Sequence, residues 1–217
     1  MRRPRFIAEQ ARHAKGPLGR FVAFIMAGET WAENLKAIDA LDIQPADHVL
    51  DIGCGHGRSL TELAKRAPRG RVAGADPSEL MVETAVHRNR AHVRARLVDV
   101  VLASADRLPF PDAAFDKVLC VHVLYFWDDL GAGLREIARV MKPRARLSLV
   151  FHTAANHAAV RTFPDDIYRF PALADVVAAL TVAEFIFDEN PTFCQWDQVE
   201  PMRVTVTKSP PDTPFAL

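Results

Sequence analysis

Cysteine is scarce in this chain of 217 residues. Cys54, Cys120 and Cys194 lie far apart, and their spacing matches neither a metal-ligand set nor a disulfide framework. An odd, scattered set of thiols fits a reducing compartment. Long apolar runs are also missing. The stretch Phe21–Ala27 is too short to span a bilayer, and the charged residues before it exclude a secretory signal. The expectation is a cytoplasmic protein with no integral membrane segment. A dominant charge is absent too: Lys+Arg and Asp+Glu number 27 each, so no global field draws the chain to nucleic acid or to an anionic membrane. Neither internal repeats nor low-complexity blocks occur, which excludes solenoids and arrays.

What remains is an ordinary globular mixture, 49% hydrophobic and 25% charged, long enough to bury one sizeable core without staples. Charge is uneven only at the start. Arg2, Arg3, Arg5, Arg12, Lys15 and Arg20 face a single acid, Glu9, among residues 1–20. A solvated arm is expected there, with contact to an acidic ligand or lipid as the other reading.

Pro4, Gly16 and Pro17 mark residues 1–18 as an arm or short helix ending in a turn. The apolar run Gly19–Ala27 predicts a short buried helix. Trp31, Leu35, Ile38 and Leu41 form one face of a second helix over Thr30–Leu41. From residue 47 the pattern alternates. Strands are expected at Val49–Ile52, Arg71–Ala75, Arg96–Val101, Phe115–Val121 and Leu147–Phe151. Helices are expected at Ser59–Ala67, from Ser78 to about Arg90, and from Asp128 or Asp129 to Met141. Such alternation predicts an α/β fold, a parallel sheet covered on both faces. Residues 153–170 read as an irregular insertion. A helix over Pro171–Leu180 and strands at Ala183–Phe187 and Met202–Thr207, pairing like a hairpin, close the domain before a proline-bearing tail. The expected division is 1–46, helices that could act as a lid, and 47–217, the main domain.

Gly53, Gly55 and Gly57 connect the first strand to its helix. Backbone N–H groups at such a junction point outward, and the helix dipole is positive there, so the loop can cradle a nucleotide cofactor. A purely structural turn is the plainer alternative. The dinucleotide fingerprint is G-x-G-x-x-G with an acid after the second strand. Here the spacing is G-x-G-x-G, and Asp51 precedes it. A pyrophosphate would be repelled by that carboxylate, whereas a cationic cofactor would be attracted. Asp51 therefore favours S-adenosylmethionine over NAD. Asp76, at the end of the second strand, can accept two hydrogen bonds from a ribose diol; alternatively it belongs to the cap region of the helix at Ser78.

The stretch Val49–Gly57 (VLDIGCGHG) resembles motif I of the class I, Rossmann-like S-adenosylmethionine-dependent methyltransferases. Ala103–Phe110 with Pro111–Asp116 resembles their D-A-x-x-L-P-F-x-D-x-x-F-D stretch, and Leu134–Pro143 the helix and turn before their fifth strand. The match covers about residues 47–152, and the subgroup it looks like includes small-molecule enzymes related to the ubiquinone/menaquinone methyltransferases. It implies a doubly wound, mostly parallel seven-stranded sheet with an antiparallel last strand. It also implies that Gly53, Cys54, Gly55 and Gly57 line the methionine end of the cofactor, that Asp51 holds its amino group and that Asp76 holds its ribose. Pro77, Ser78 and Met81 would lie beside ribose and adenine, Ala105 and Asp106 would border the adenine, and Val121 would close the site. Ser104 stands where the family usually has an Asp that accepts from the adenine amino group, so weaker or water-mediated recognition is implied there.

The methyl acceptor is expected beyond the fourth strand. His122 can act there as a base, and Tyr125 can contact the acceptor. His152, Asn156, Arg161, Tyr168 and Arg169 are further pocket candidates, and Trp31 could join from the lid. Each also has a structural or solvated reading. The Asn/Asp-Pro-Pro-aromatic signature of nucleic-acid methyltransferases is absent, and Asp128 and Asp129 read as a helix cap, so neither a nucleic-acid substrate nor a metal is expected. The sequence thus predicts a small-molecule methyltransferase, a monomer or homodimer. The alternatives are a catalytically idle S-adenosylmethionine-binding regulator and an NAD-dependent dehydrogenase.

Overall fold

The computed structural model describes residues 3–187 and 201–210. Cys194, Arg2 and the tail prolines Pro211 and Pro214 lie outside the described residues. The strands are β1 (His48–Ile52), β2 (Arg71–Asp76), β3 (Val98–Leu102), β4 (Phe115–Val121), β5 (Met141–Phe151), β6 (Phe185–Phe187) and β7 (Met202–Lys208). They form one sheet of order β3-β2-β1-β4-β5-β7-β6. The first five are parallel, and β7 runs antiparallel to both β5 and β6. The expected fold is therefore present, the closing hairpin included.

The helices are α1 (Arg5–Arg12), α2 (Gly16–Glu29), α3 (Trp31–Ala40), α4 (Arg58–Arg66), α5 (Glu79–Arg88), α6 (Arg90–Arg94), α7 (Leu130–Val140), α8 (His157–Thr162) and α9 (Leu173–Val182). Consecutive strand residues face opposite sides. Leu50 thus belongs to one buried cluster with Leu134, Ile137, Val176 and Leu180 of α7 and α9, while Val49 belongs to another with Ile38, Leu60, Leu63 and Ala85 of α3, α4 and α5. Burial on both faces is why the central strands are nearly continuous apolar runs. Strand order reverses between β1 and β4, which opens a crevice beyond their C-terminal ends.

Several local expectations change. α2 runs from Gly16 to Glu29 and, among its described side chains, buries Val22 at 6% while Leu18, Phe21 and Ile25 are 48%, 62% and 44% exposed. Its apolarity is local, but it lies on the outside of the fold, over α1 and α5. The basic arm is helical, and three of its cations are met within the chain, in the Arg3–Glu29, Arg5–Glu9, Arg5–Asp166 and Arg12–Asp128 pairs. The helix after Ser78 breaks at Asn89, whose amide turns inward to donate to the Gly57 and Ala85 carbonyls at 2.8 and 2.9 Å. Strand β3 starts late because Arg96 takes a left-handed φ of 57°. Strand β5 starts early, at Met141, and its register with β4 is irregular between Phe115 and Lys117. The insertion 153–170 contains α8.

Candidate functional site

The crevice holds a cavity of about 620 Å³. Its floor is the glycine loop, where Gly53, Gly55 and Gly57 have φ of 70°, 52° and 75°. The N–H groups of Gly53 and Cys54 donate to the Ala75 carbonyl at 2.8 and 3.2 Å, which ties the loop to the end of β2. A Cβ on Gly53 would lie 2.2 Å from Val123, so glycine lets the loops after β1 and β4 meet. Gly57 differs from the other two. It is outside the cavity lining, and a Cβ there would meet Ala85 and Asn89 of the α5 region within 3 Å. Its role is helix packing. The Cys54 thiol likewise points into the core beside Gly74 and Leu60, leaving only its backbone to the cleft.

Asp51 is 3% exposed and accepts from the Ser59 hydroxyl. Burial pushes its carboxyl up to about 7; the Ser59 hydrogen bond opposes this, and the neighbouring Asp76 charge adds to it. Asp76, 7% exposed, accepts from the N–H of Gly55 and of Ser78, both at 2.9 Å. Burial raises its pKa, while those two donors lower it. Each oxygen keeps a lone pair, because a carboxylate offers about four acceptor sites. The Ser78 hydroxyl caps α5 and donates to the Ala14 carbonyl at 2.9 Å, so it serves structure. Pro77, Met81, Ser104, Ala105, Asp106 and Val121 all line the cavity, with Met81 and Ala105 buried and Ser104 and Asp106 exposed.

His122 follows β4 with φ of 57°, and its backbone N–H donates to Val150. Its ring is held on both sides. The Tyr125 hydroxyl accepts from the His152 N–H, so its own proton goes to His122 Nδ1 at 2.9 Å. His122 Nε2–H then donates to the Glu33 carboxylate of α3. With the protons so placed both ring nitrogens of His122, the base expected from the sequence, are engaged within the chain, and the run of hydrogen bonds ends on Glu33. Tyr125, expected to contact the acceptor, lines the cavity and bonds to His122. The His152 ring stacks on His122 at 5.3 Å and accepts at Nδ1 from the Asn156 amide at 3.0 Å. Burial and the His122 ring lower His152 to about 4, so it is neutral at physiological pH. Phe163, Tyr168 and Phe170 complete this end of the cavity, and the buried Tyr168 hydroxyl has no partner among the described residues. Arg161 and Arg169 are not part of the lining, and Arg169 pairs with Asp128 at 2.9 Å.

Trp31 lines the cavity and stacks against Arg58, whose guanidinium carbon lies 3.9 Å from the ring centroid. Glu33 and Arg58 are the functional candidates that the sequence did not single out. Glu33 reaches the site only because α3 folds across the end of β4. Arg58 had a local signal, a cation directly after the glycine loop.

A methyltransferase-domain family model matches residues 50–149. An uncharacterized methyltransferase, YdaC of Bacillus subtilis, is 30% identical over 58% of this chain and 67% of its own length. The demethylmenaquinone methyltransferase of Symbiobacterium thermophilum is 35% identical over 56% of this chain and 49% of its own. The chain thus spans about two thirds of the first relative and about half of the second. In fold, it resembles a S-adenosylmethionine-dependent methyltransferase from Aquifex aeolicus, with a TM-score of 0.66 at 20% identity over 80% of this chain and 88% of that one. The chain belongs to the class I S-adenosylmethionine-dependent methyltransferases.

Proposed function

We propose that this protein transfers a methyl group from S-adenosylmethionine to a small-molecule acceptor by direct displacement. The observation that carries this reading is Asp51, a buried carboxylate at the glycine loop with a hydroxyl partner and no cationic one among the described residues. A buried charge without a counter-charge is costly, and a cationic ligand removes that cost. The residues present fit the cofactor. Asp51 would hold its ammonium and Asp76 its ribose hydroxyls, while Pro77, Met81 and Ala105 form apolar walls for the adenine. Ser104 and Asp106 are exposed polar groups at the adenine edge. When bound, the cofactor supplies an electrophilic methyl group on a sulfonium.

The chain's own contribution is alignment, water exclusion and uptake of one proton. Residues 1–46 act as a lid on the domain formed by 47–217, tied down by Ser78 to Ala14 and by the Arg3 N–H to the Thr162 carbonyl at 2.7 Å. The acceptor sits near the aromatic end, with Glu33 as the group that takes the proton from its hydroxyl or amine. His122 and Tyr125 hold that carboxylate in place, and His152 remains an uncharged wall. The Tyr168 hydroxyl suits an acceptor with a second polar atom. Conversion of S-adenosylmethionine to its demethylated product, measured against phenols, quinols, amines and carboxylates, tests the reading. Acceptor-dependent product above background is expected. Tight cofactor binding with no turnover on any acceptor class or on a metabolite extract would instead favour an idle regulator.

A further inference from the structure

Overall neutrality hides a local surplus of positive charge beside an uncovered apolar stripe. Leu18, Phe21 and Ile25 recur at spacings of three and four on α2, so they share one face of the helix, and all three are exposed. Phe6 of α1, the helix packed against α2, is exposed as well. Single exposed apolar residues are ordinary on a protein surface, whereas a row of them on one helix face marks a contact surface. α2 also packs against α5, which runs through Asn89 into α6. Lys15 and Arg20 flank the stripe in sequence, and Arg88, Arg90, Arg94 and Arg96 follow along α5 and α6. All six are exposed, and none has an ion pair among the described residues; Arg88 donates only to the His56 carbonyl. Against them stand two carboxylates of α5, Glu79 and Glu83, since Glu29 of α2 is taken by Arg3. Elsewhere the pattern is different: Arg3, Arg5, Arg12, Arg66, Arg139 and Arg169 each meet a carboxylate.

An apolar stripe adjoining free cations is complementary to hydrocarbon beneath a layer of anionic headgroups. With 14 residues α2 is too short to cross a bilayer, but it can lie in the interface with the stripe inward. Other occupants fit less well. A symmetric pair of chains meeting at the stripe would bring the same unpaired cations together. A nucleic acid would meet the arginines and leave Phe21 and Ile25 uncovered. We infer that α2 and the adjoining arginines of α5 and α6 form a docking surface for an anionic lipid membrane, in which Leu18, Phe21 and Ile25 enter the headgroup boundary and the cations meet lipid phosphates. Ala14 and Glu29, which bracket α2, line the cavity, so docking holds the lid side of the cleft at the lipid surface. The surface uses none of the residues assigned to the cofactor, and it stands or falls separately from them.

The test is cosedimentation of the full chain with vesicles of phosphatidylcholine alone and of phosphatidylcholine mixed with phosphatidylglycerol, at low and high salt. The wild type should bind the mixed vesicles, less so at high salt, and bind phosphatidylcholine weakly. Phe21→Ser should bind the mixed vesicles at least ~10-fold more weakly, the effect of losing one inserted aromatic side chain. The double variant Arg90→Gln, Arg94→Gln should lose roughly 25-fold, at about fivefold per cation. Both variants should melt with the wild type, because the altered side chains are exposed; Leu18→Ser serves as a second probe of the stripe. Absence of binding to mixed vesicles at low salt would overturn the docking surface. Equal binding to the two vesicle types would overturn the part given to the arginines, and wild-type binding by both Phe21→Ser and Leu18→Ser would overturn insertion of the stripe. Without vesicle binding, a dimer abolished by Phe21→Ser would assign the stripe to a second copy of the chain. Salt-sensitive binding to duplex RNA, unaffected by Phe21→Ser and again without vesicle binding, would assign the arginines to nucleic acid. Either result would overturn the membrane proposal.

Discussion

Replacing Asp51 with asparagine perturbs stability and ligand binding in opposite directions. The carboxylate is buried, its hydrogen-bond partner is the Ser59 hydroxyl, and the neighbouring charge, Asp76, is also negative. Its pKa accordingly rises from 3.8 to about 7 on folding. Between about pH 4 and 7 the folded state therefore holds a proton that the unfolded state has released. Stability contributed by that proton is fully present below about pH 4 and is lost as pH rises through 7. A shift of about three units corresponds to ~4 kcal/mol at most. Asparagine keeps the shape and can still accept from Ser59, but it cannot ionise. Ligand-free Asp51→Asn should thus be more stable than wild type at pH 8, by up to that ~4 kcal/mol, and the gap should close towards pH 4. Urea denaturation at several pH values measures this, with the m-value checking that the transition stays comparable. Affinity for S-adenosylhomocysteine at pH 8 should fall by roughly 1.5–3 kcal/mol, the worth of a hydrogen bond to a charged group. A variant less stable than wild type at pH 8, or one with unaltered affinity, would refute the reasoning.

The proposed ribose contact gives a second prediction. Asp76→Ala should weaken cofactor binding by at least ~1.5 kcal/mol in calorimetry; an unchanged dissociation constant in a folded variant would put the ribose elsewhere. Gly57→Ala should destabilise the fold by ~2–4 kcal/mol, because it adds left-handed strain to a clash with Ala85 and Asn89. Melting with and without ligand should show that loss while affinity changes little, since Gly57 does not line the cleft. Glu33→Gln should reduce turnover by roughly 100-fold at neutral pH, within the usual range for a proton-transfer group, and leave S-adenosylhomocysteine affinity within twofold. A loss of affinity matching the loss of rate would make Glu33 a structural residue.

The glycine-loop half of the cleft was legible because its determinants are local. Glycines with positive φ, a carboxylate at each strand end and a helix start lie within a few residues of one another, so spacing alone brings them together. Even there, spacing could not tell Gly57, which faces α5, from Gly53, which faces the cleft. The L-P-F stretch also proved mechanical. Arg139 donates to the Leu108 and Phe110 carbonyls and pairs with Glu136 and Asp112, which locks this loop against α7. The acceptor half was poorly legible. His122 and Tyr125 were visible at the end of β4, but their roles depend on Glu33, 89 residues away from His122 in sequence. The apolar run Gly19–Ala27 reads as buried from its own composition, but composition does not say which face of the helix packs inward, and Phe21 lies on the outward one.

The central claim is that the glycine loop, Asp51 and Asp76 hold a phosphate-free cationic nucleoside. Titrating the folded chain by calorimetry with S-adenosylmethionine, S-adenosylhomocysteine and NAD tests it most directly. Micromolar or tighter binding of the first two is expected, with no heat of binding from NAD. Tight binding of NAD with no response to the other two would contradict it.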